Sequence, residues 1–323
     1  MLKKIVIKNY IPENGNVPQN LVLSYQIFGQ PLHSAPIVLV NHALTGNSNV
    51  IGADGWWNEL IGEQGAINPQ KFTILAFNIP GNGFGNNNEV ENYRDFTIAD
   101  VARIFWQGID FLGITEIFAA IGSSLGGAIA WEMAAQRTDK IRNLIPVATD
   151  WKSTDWLIGH VLLQDLILNN SNTPIHDARI HGMLLYRTPE SLKSRFGCGL
   201  QPENPEIFQI ESWLFHHGEK LEKRFSLSAY KLMNYLLRSI DITKNREPFP
   251  RIAAEIQSNI YFVAIDTDRF FPAAETRANY EQLKELKDNV FYYEIKSIHG
   301  HDAFLIEYEQ LNEMLKPIFN FKK

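Results

Sequence analysis

The period of the apolar positions changes several times along the chain, and each change marks an element. "KKIVIKNY" (3–10) and "LVLSYQIFG" (21–29) read as two early strands. "APIVLVNHA" (35–43) and "KFTILAFNIPG" (71–81) are short, continuous, branched apolar runs closed by turn residues. Such runs predict strands buried on both faces. In "DFTIADVARIFWQGIDFLGI" the residues Ile98, Val101, Ala102, Phe105, Ile109 and Leu112 recur at helical spacing. Thr97, with Asp100 three residues on, predicts a capping-box start. "EIFAAIGSS" is the next strand, "GGAIAWEMAAQRTDKI" the next helix and "IRNLIPVATD" another strand. Strands alternating with helices predict an α/β fold, a mainly parallel sheet with helices on both faces.

From about Trp151 to Pro250 the rhythm is helical only. "STDWLIGHVLLQDLIL", "IHDARIHGMLLYR", "PESLKSRFG", "EIFQIESWLFHHGEKLEKRF" and "SLSAYKLMNYLLRSI" follow one another without a convincing strand. We read residues 151–250 as a helical lid inserted into a core made of 1–150 and 251–323. "REPFPRIAAEI" leads back to the sheet. "SNIYFVAIDTD" and "NVFYYEIKS" are its last strands, with "AAETRANYEQLKEL" and "EYEQLNEMLKPIFNF" as helices. "NGFGNNNEVEN" (82–92) reads as a polar, mobile loop.

Composition narrows the function classes. Of 323 residues, 45% are hydrophobic and 20% charged, the balance of a globular protein with a large core. A net charge of −6 argues against a general nucleic-acid or membrane-surface role, though a local basic pocket for an anionic tail stays open. The single cysteine, Cys198, cannot form an intrachain disulfide and fits a reducing compartment. The N-terminus lacks the roughly 7–15 apolar residues of a signal peptide. No run approaches the roughly 18–20 of a membrane span, so the expected location is cytoplasmic.

The chemistry is concentrated at Gly122-Ser123-Ser124-Leu125-Gly126, a G-x-S-x-G between strand and helix. Small residues around Ser124 let the two backbones approach closely and raise its hydroxyl above the sheet. The Leu125 N–H, at a helix N-terminus, can steady a developing oxyanion. A second donor is expected from "NHALTG" (41–46), near Leu44, where His42 reads as structural rather than as the base. The base should follow the last strand, where "SIHGHDAF" offers His299 and His301. His301 is preferred, because Asp302 and Ala-Phe-Leu behind it can anchor the loop. The orienting acid should end the preceding strand, where "VAIDTDRFFP" offers Asp266 and Asp268, and spacing does not choose between them. No metal site is expected: His216 and His217 are adjacent and face apart, and no H-E-x-x-H occurs. Cys198 beside glycine reads as inert.

Taken together, "NHALTGNS", the serine elbow, "ARIHGMLLYRTPESLKSRFG", "ESWLFHHGEKLEKRFSLSAY", "TDRFFP" and "GHDAFL" resemble the homoserine O-acetyltransferase family of the α/β-hydrolase fold, from about residue 20 to the C-terminus. The resemblance implies Asp268 as the acid, from Thr267-Asp268-Arg269-Phe270-Phe271-Pro272, and His301 as the base, from Gly300-His301-Asp302. It also implies that Asp302 holds the amino group of the acceptor and that Arg179 and Tyr186 line the tunnel. Arg179 is suited to grip a carboxylate with two donors. Two departures stand out. "NIPGNGFGNNNEVEN" (78–92) is shorter than the family's glycine-rich stretch, and Ser123 replaces a frequent glycine.

The expected reaction is a ping-pong transfer of an acetyl group from acetyl-CoA to L-homoserine, a step of methionine synthesis. No cofactor is expected beyond the acyl-CoA co-substrate, and a homodimer is implied by the family. A succinyl donor or a serine acceptor are the neighbouring alternatives. A serine hydrolase of small esters is the alternative of another class, and a non-catalytic binding protein a third.

Overall fold

The computed structural model describes residues 1–85, 89–90 and 92–320. Asn86, Asn87, Asn88 and Glu91, on which the expectation of a mobile loop partly falls, lie outside the described residues. An eight-stranded sheet runs in the order β1-β2-β4-β3-β5-β6-β7-β8. The strands are β1 Lys3–Tyr10, β2 Gln19–Gly29, β3 Ile37–Asn41, β4 Thr73–Phe77, β5 Ile117–Ser123, β6 Ile141–Val147, β7 Asn259–Ile265 and β8 Val290–Ile295. β1 and β2 pair antiparallel, β2 pairs antiparallel with β4, and every other pair is parallel. β3, β4 and β5 are buried at every position, the reason their sequences show no alternation.

Helices α1 Ile98–Phe111 and α2 Leu125–Gln136 cover one face with α8 Phe249–Glu255, while α10 Tyr308–Phe319 covers the other. The capping box at Thr97 and Asp100 forms as the spacing requires. α2 is shorter than its sequence pattern. It ends at Gln136 because Arg137 turns extended, and Ile141 pairs with Ile117 in the sheet. The helical stretch holds α3 Asp155–Asn170, α4 Pro174–Tyr186, α5 Pro189–Phe196, α6 Gln209–Glu222 and α7 Leu227–Arg238. Its Leu157, Val161, Tyr230 and Leu236 belong to the same apolar cluster as Leu39 and Phe105 beneath the sheet. This helical stretch therefore shares its core with that face of the sheet. α9 Ala273–Lys284 precedes β8.

One buried group ties stability to pH. Asp150, just past β6, is 5% exposed, accepts from the Trp151 amide and binds the Asn279 amide through both oxygens. Burial, assisted by the nearby Glu275, pushes its carboxyl up to about 7. The folded protein thus keeps this proton to higher pH than the unfolded chain does. Stability is lost as pH rises from about 4 to about 7 and levels off above. Thermal melts across that window should show a falling midpoint, and Asp150→Asn should flatten the slope.

Candidate active site

The elbow comes first because its backbone is strained. Ser124 lies at φ 54°, ψ −125°, between β5 and α2. A non-glycine residue in this region costs about 1–3 kcal/mol. It is held there by a hydrogen bond from its own N–H to the Val147 carbonyl (2.9 Å) and by the Gly127 and Ala128 amides on its carbonyl (3.0 and 3.2 Å). The glycines around it are steric necessities. A Cβ on Gly122 would stand 2.4 Å from Gly126 backbone atoms, and one on Gly126 would stand 2.2 Å from the Asn41 oxygen. These contacts press the N-terminus of α2 against the end of β3, which brings the 41–46 loop to the serine.

That loop is pinned from three sides. The Ala43 carbonyl accepts from the Gly46 amide (2.9 Å) and contacts His42 Nδ1 at 2.8 Å. His42 Nε2 accepts from the Ile79 amide at 3.1 Å, so Nδ1 carries the proton. Burial holds the ring down to about 4, so it stays neutral. Ala43 C=O and Leu44 N–H belong to one trans peptide and point oppositely. Fixing the oxygen therefore fixes the direction of the N–H. Two residues on, the Thr45 carbonyl accepts from Arg224 Nη1 of the lid at 3.0 Å. The Leu44 and Leu125 amides donate to no described residue.

At the ends of β7 and β8 the structure separates what spacing left open. Asp268 Oδ2 lies 2.7 Å from His301 Nδ1, and Asp268 Oδ1 accepts from the Phe270 and Phe271 amides at 2.7 and 3.0 Å. Asp268 and His301 are 5% and 3% exposed. Asp266 instead accepts from the Ser297 amide at 3.0 Å and caps the turn after β8. His299 faces the lid, with Ser191 Oγ at 2.8 Å and Arg187 Nη1 at 3.4 Å. Thr267 secures the histidine loop through Ser297 O (2.6 Å) and the Gly300 amide (3.2 Å). Behind His301, Ala303 and Phe304 are buried and Leu305 is exposed. Ser124 Oγ makes no hydrogen bond to a described residue, so the acid–base pair is assembled here and the serine–base contact is not.

The lid closes over this edge. Tyr186 and Phe270 pack around His301, tilted and edge-on, with ring centroids 5.6 and 5.0 Å away. Burial pushes the Tyr186 phenol up to about 12. The Arg179 guanidinium sits 5.9 Å from the Tyr186 ring and has no ion-pair partner among the described residues. Asp302 is paired: its Oδ2 accepts from Arg187 Nε at 2.9 Å, while its other oxygen accepts from no described residue. Arg187 and Arg224 were not singled out from sequence. Only "LLYRTPE" and "KRF", cations at helix ends, hinted at them. Burial and the neighbouring Arg179 pull the Arg224 guanidinium down. Among the described residues no group of three or more His, Cys, Asp or Glu could hold a metal ion, and no helix is long and apolar enough to cross a membrane. The geometry provides a nucleophile on a strained turn, an oriented imidazole, two free amides and a lidded seat with both signs of charge. That set suits acyl transfer through a covalent serine.

Residues 36–173 match the family model described as alpha/beta hydrolase fold. The chain is 32% identical to a homoserine O-acetyltransferase of Cyclobacterium marinum, over 95% of this chain and 92% of that one. It superposes on the crystal structure of the homoserine O-acetyltransferase from Staphylococcus aureus with a TM-score of 0.84 at 25% identity, covering 100% and 96% of the two chains. An acetylester hydrolase from Corynebacterium glutamicum also superposes, with a TM-score of 0.83 over 99% and 96%. At 18% identity that likeness speaks for the fold alone.

Proposed function

The chain belongs to the homoserine O-acetyltransferase family, and on that premise we propose that it moves an acetyl group from acetyl-CoA to the hydroxyl of L-homoserine, as a step toward methionine. The observation that carries the mechanism is the buried Asp268–His301 pair, taken together with Ser124 on its strained strand-to-helix turn. Ser124 Oγ attacks the thioester carbonyl while His301 takes its proton and Asp268 steadies the imidazolium. The Leu44 and Leu125 amides hold the oxyanion. The C–S bond breaks, and the thiolate leaves with the proton from His301. The homoserine hydroxyl then gives its proton to His301 and attacks the acyl-serine. The ester C–O bond to Ser124 breaks, and the serine recovers the proton.

Transfer must outcompete hydrolysis, so the acceptor needs a seat that water cannot exploit. Arg179 receives its carboxylate, and the second oxygen of Asp302, beside His301, receives its ammonium. Tyr186 forms the wall between them. The Arg187–Asp302 pair holds that carboxylate in place. A reducing, cytoplasmic setting belongs to the same reading and is supported by the single, exposed Cys198.

Arg179→Gln should raise KM for homoserine about 10- to 100-fold, the worth of a charge-assisted pair, and should disturb acylation by the donor far less. Thiol release followed with acetyl-CoA or succinyl-CoA, with and without homoserine, tests the reading. Release driven by homoserine with acetyl-CoA supports it. Release only with succinyl-CoA moves the donor. Rapid hydrolysis of small esters, indifferent to homoserine, would favour the esterase alternative, for which the shared fold of the acetylester hydrolase is the supporting observation.

A further inference from the structure

A small enclosed cavity lies against the catalytic edge, lined by Leu44, His160, Gln164, Tyr186, Tyr230 and Phe270 among others. Leu44 belongs to the oxyanion loop, and Tyr186 and Phe270 are the rings that flank His301. The polar groups of this wall are not satisfied. Tyr230 is 1% exposed, yet its hydroxyl has no hydrogen-bond partner among the described residues. Gln164 is 7% exposed and uses its Nε2 on the Ala178 carbonyl and His181 Nδ1, both at 2.9 Å, leaving Oε1 without a partner. His160, wedged between Trp156 and His181, has neither ring nitrogen bonded. Each buried, unbonded polar group of this kind costs about 1–3 kcal/mol. Three around one cavity call for a hydrogen-bonding occupant.

The occupant's charge can be read from the lining. No charged side chain lines the cavity. Burial pushes the Tyr230 phenol up and the His160 and His181 imidazoles down, so all three are neutral near pH 7. A zwitterionic amino acid is therefore a poor match, and its seat is already supplied by Arg179 and Asp302. A neutral chain with amide donors and acceptors is a good one. The cavity also shares Val161 and Asn234 with an outer groove of about 500 Å³, where Asn234 Nδ2 donates to the Val161 carbonyl at 3.0 Å. Arg94, Asp165 and Arg238 line that groove; Arg94 is paired with Asp165 at 3.4 Å, and Arg238, with no ion-pair partner among the described residues, is left to meet an anionic end of the arm.

We propose that this cavity, between α3, α4 and α7, binds the neutral amide-bearing arm of the acyl-thioester donor, with Tyr230, Gln164 and His160 as its hydrogen-bonding groups. The proposal rests on the acyltransferase reading above and says where that donor lies. As it stands the cavity has room for little more than a water molecule, so the arm enters as the helices part.

The test uses two acetyl thioesters, S-acetylpantetheine with the amide arm and phenyl thioacetate without it, on the whole protein and on Tyr230→Phe. The expected result is that the ratio of kcat/KM values, arm over no arm, falls about tenfold in the variant. The melting temperature should stay level or rise, since the hydroxyl that is removed has no protein partner. An unchanged ratio, as from a cavity that only stores water, overturns the proposal. An equal fall with both thioesters also overturns it, because that marks a structural role. Wild-type protein that takes an acetyl group from neither thioester would instead sink the acyltransferase reading on which the proposal stands.

Discussion

Ser124→Ala lowers homoserine-dependent thiol release by a factor on the order of 10⁴–10⁶, the size seen when a serine nucleophile is removed from a unit that works together. Folding should not suffer. The Ser124 hydroxyl bonds to no described residue, and the strained φ of 54° is held by backbone bonds to Val147, Gly127 and Ala128 that alanine keeps. An unchanged melting temperature with activity gone separates a chemical role from a structural one. Substantial acyl transfer by a well-folded Ser124→Ala protein would remove the serine from the mechanism. Asp268 is expected to act differently, since it never touches the substrate. It fixes which nitrogen of His301 carries the proton, through one 2.7 Å contact.

Gly126→Ala carries the other large effect, and here stability and activity fall together. The added methyl would lie 2.2 Å from the Asn41 oxygen and 2.7 Å from the His42 oxygen. Both are backbone atoms in a strand end that cannot swing aside. Overpacking of this kind costs about 1–3 kcal/mol or more. The same push moves the 41–46 loop away from Ser124, and with it the Leu44 amide. Loss of one oxyanion donor costs about 10²–10³ in kcat. Denaturant melts and kcat measured on the same preparation check both halves. Gly159 is the control, because a Cβ there meets nothing within 4 Å.

What could be read from sequence follows the range of the forces involved. The elbow was legible because each part of it is local. A buried strand, a small-residue turn and an α-helical repeat lie within residues 116–136. The Thr97 cap was legible for the same reason, being one residue paired with another three positions on. Spacing alone does not separate Asp266 from Asp268, because both follow β7 and either could reach back; the family resemblance points to Asp268, and in the fold Asp266 meets the Ser297 amide while Asp268 meets His301. Arg187 with Asp302, and Arg224 with Thr45, join positions 115 and 179 residues apart. No period or motif encodes such pairs. The end of α2 was overread because "RTDKI" continues a plausible helix, and the pairing of Ile141 with Ile117 overrides it. Unbonded groups such as the Tyr230 hydroxyl are the hardest to foresee, since they are defined by what the folded protein fails to supply.

The central claim is that one acyl group rests on Ser124 between two substrates. Mass spectrometry of the protein after acetyl-CoA alone, followed by addition of homoserine, tests it directly. One acetyl group is expected on the peptide carrying Ser124, stable for a time in water and discharged rapidly by homoserine with O-acetylhomoserine appearing in equal amount. An acetyl group that never appears on Ser124, or one lost to water as fast without homoserine as with it, would rule out an acyl-serine between the two substrates.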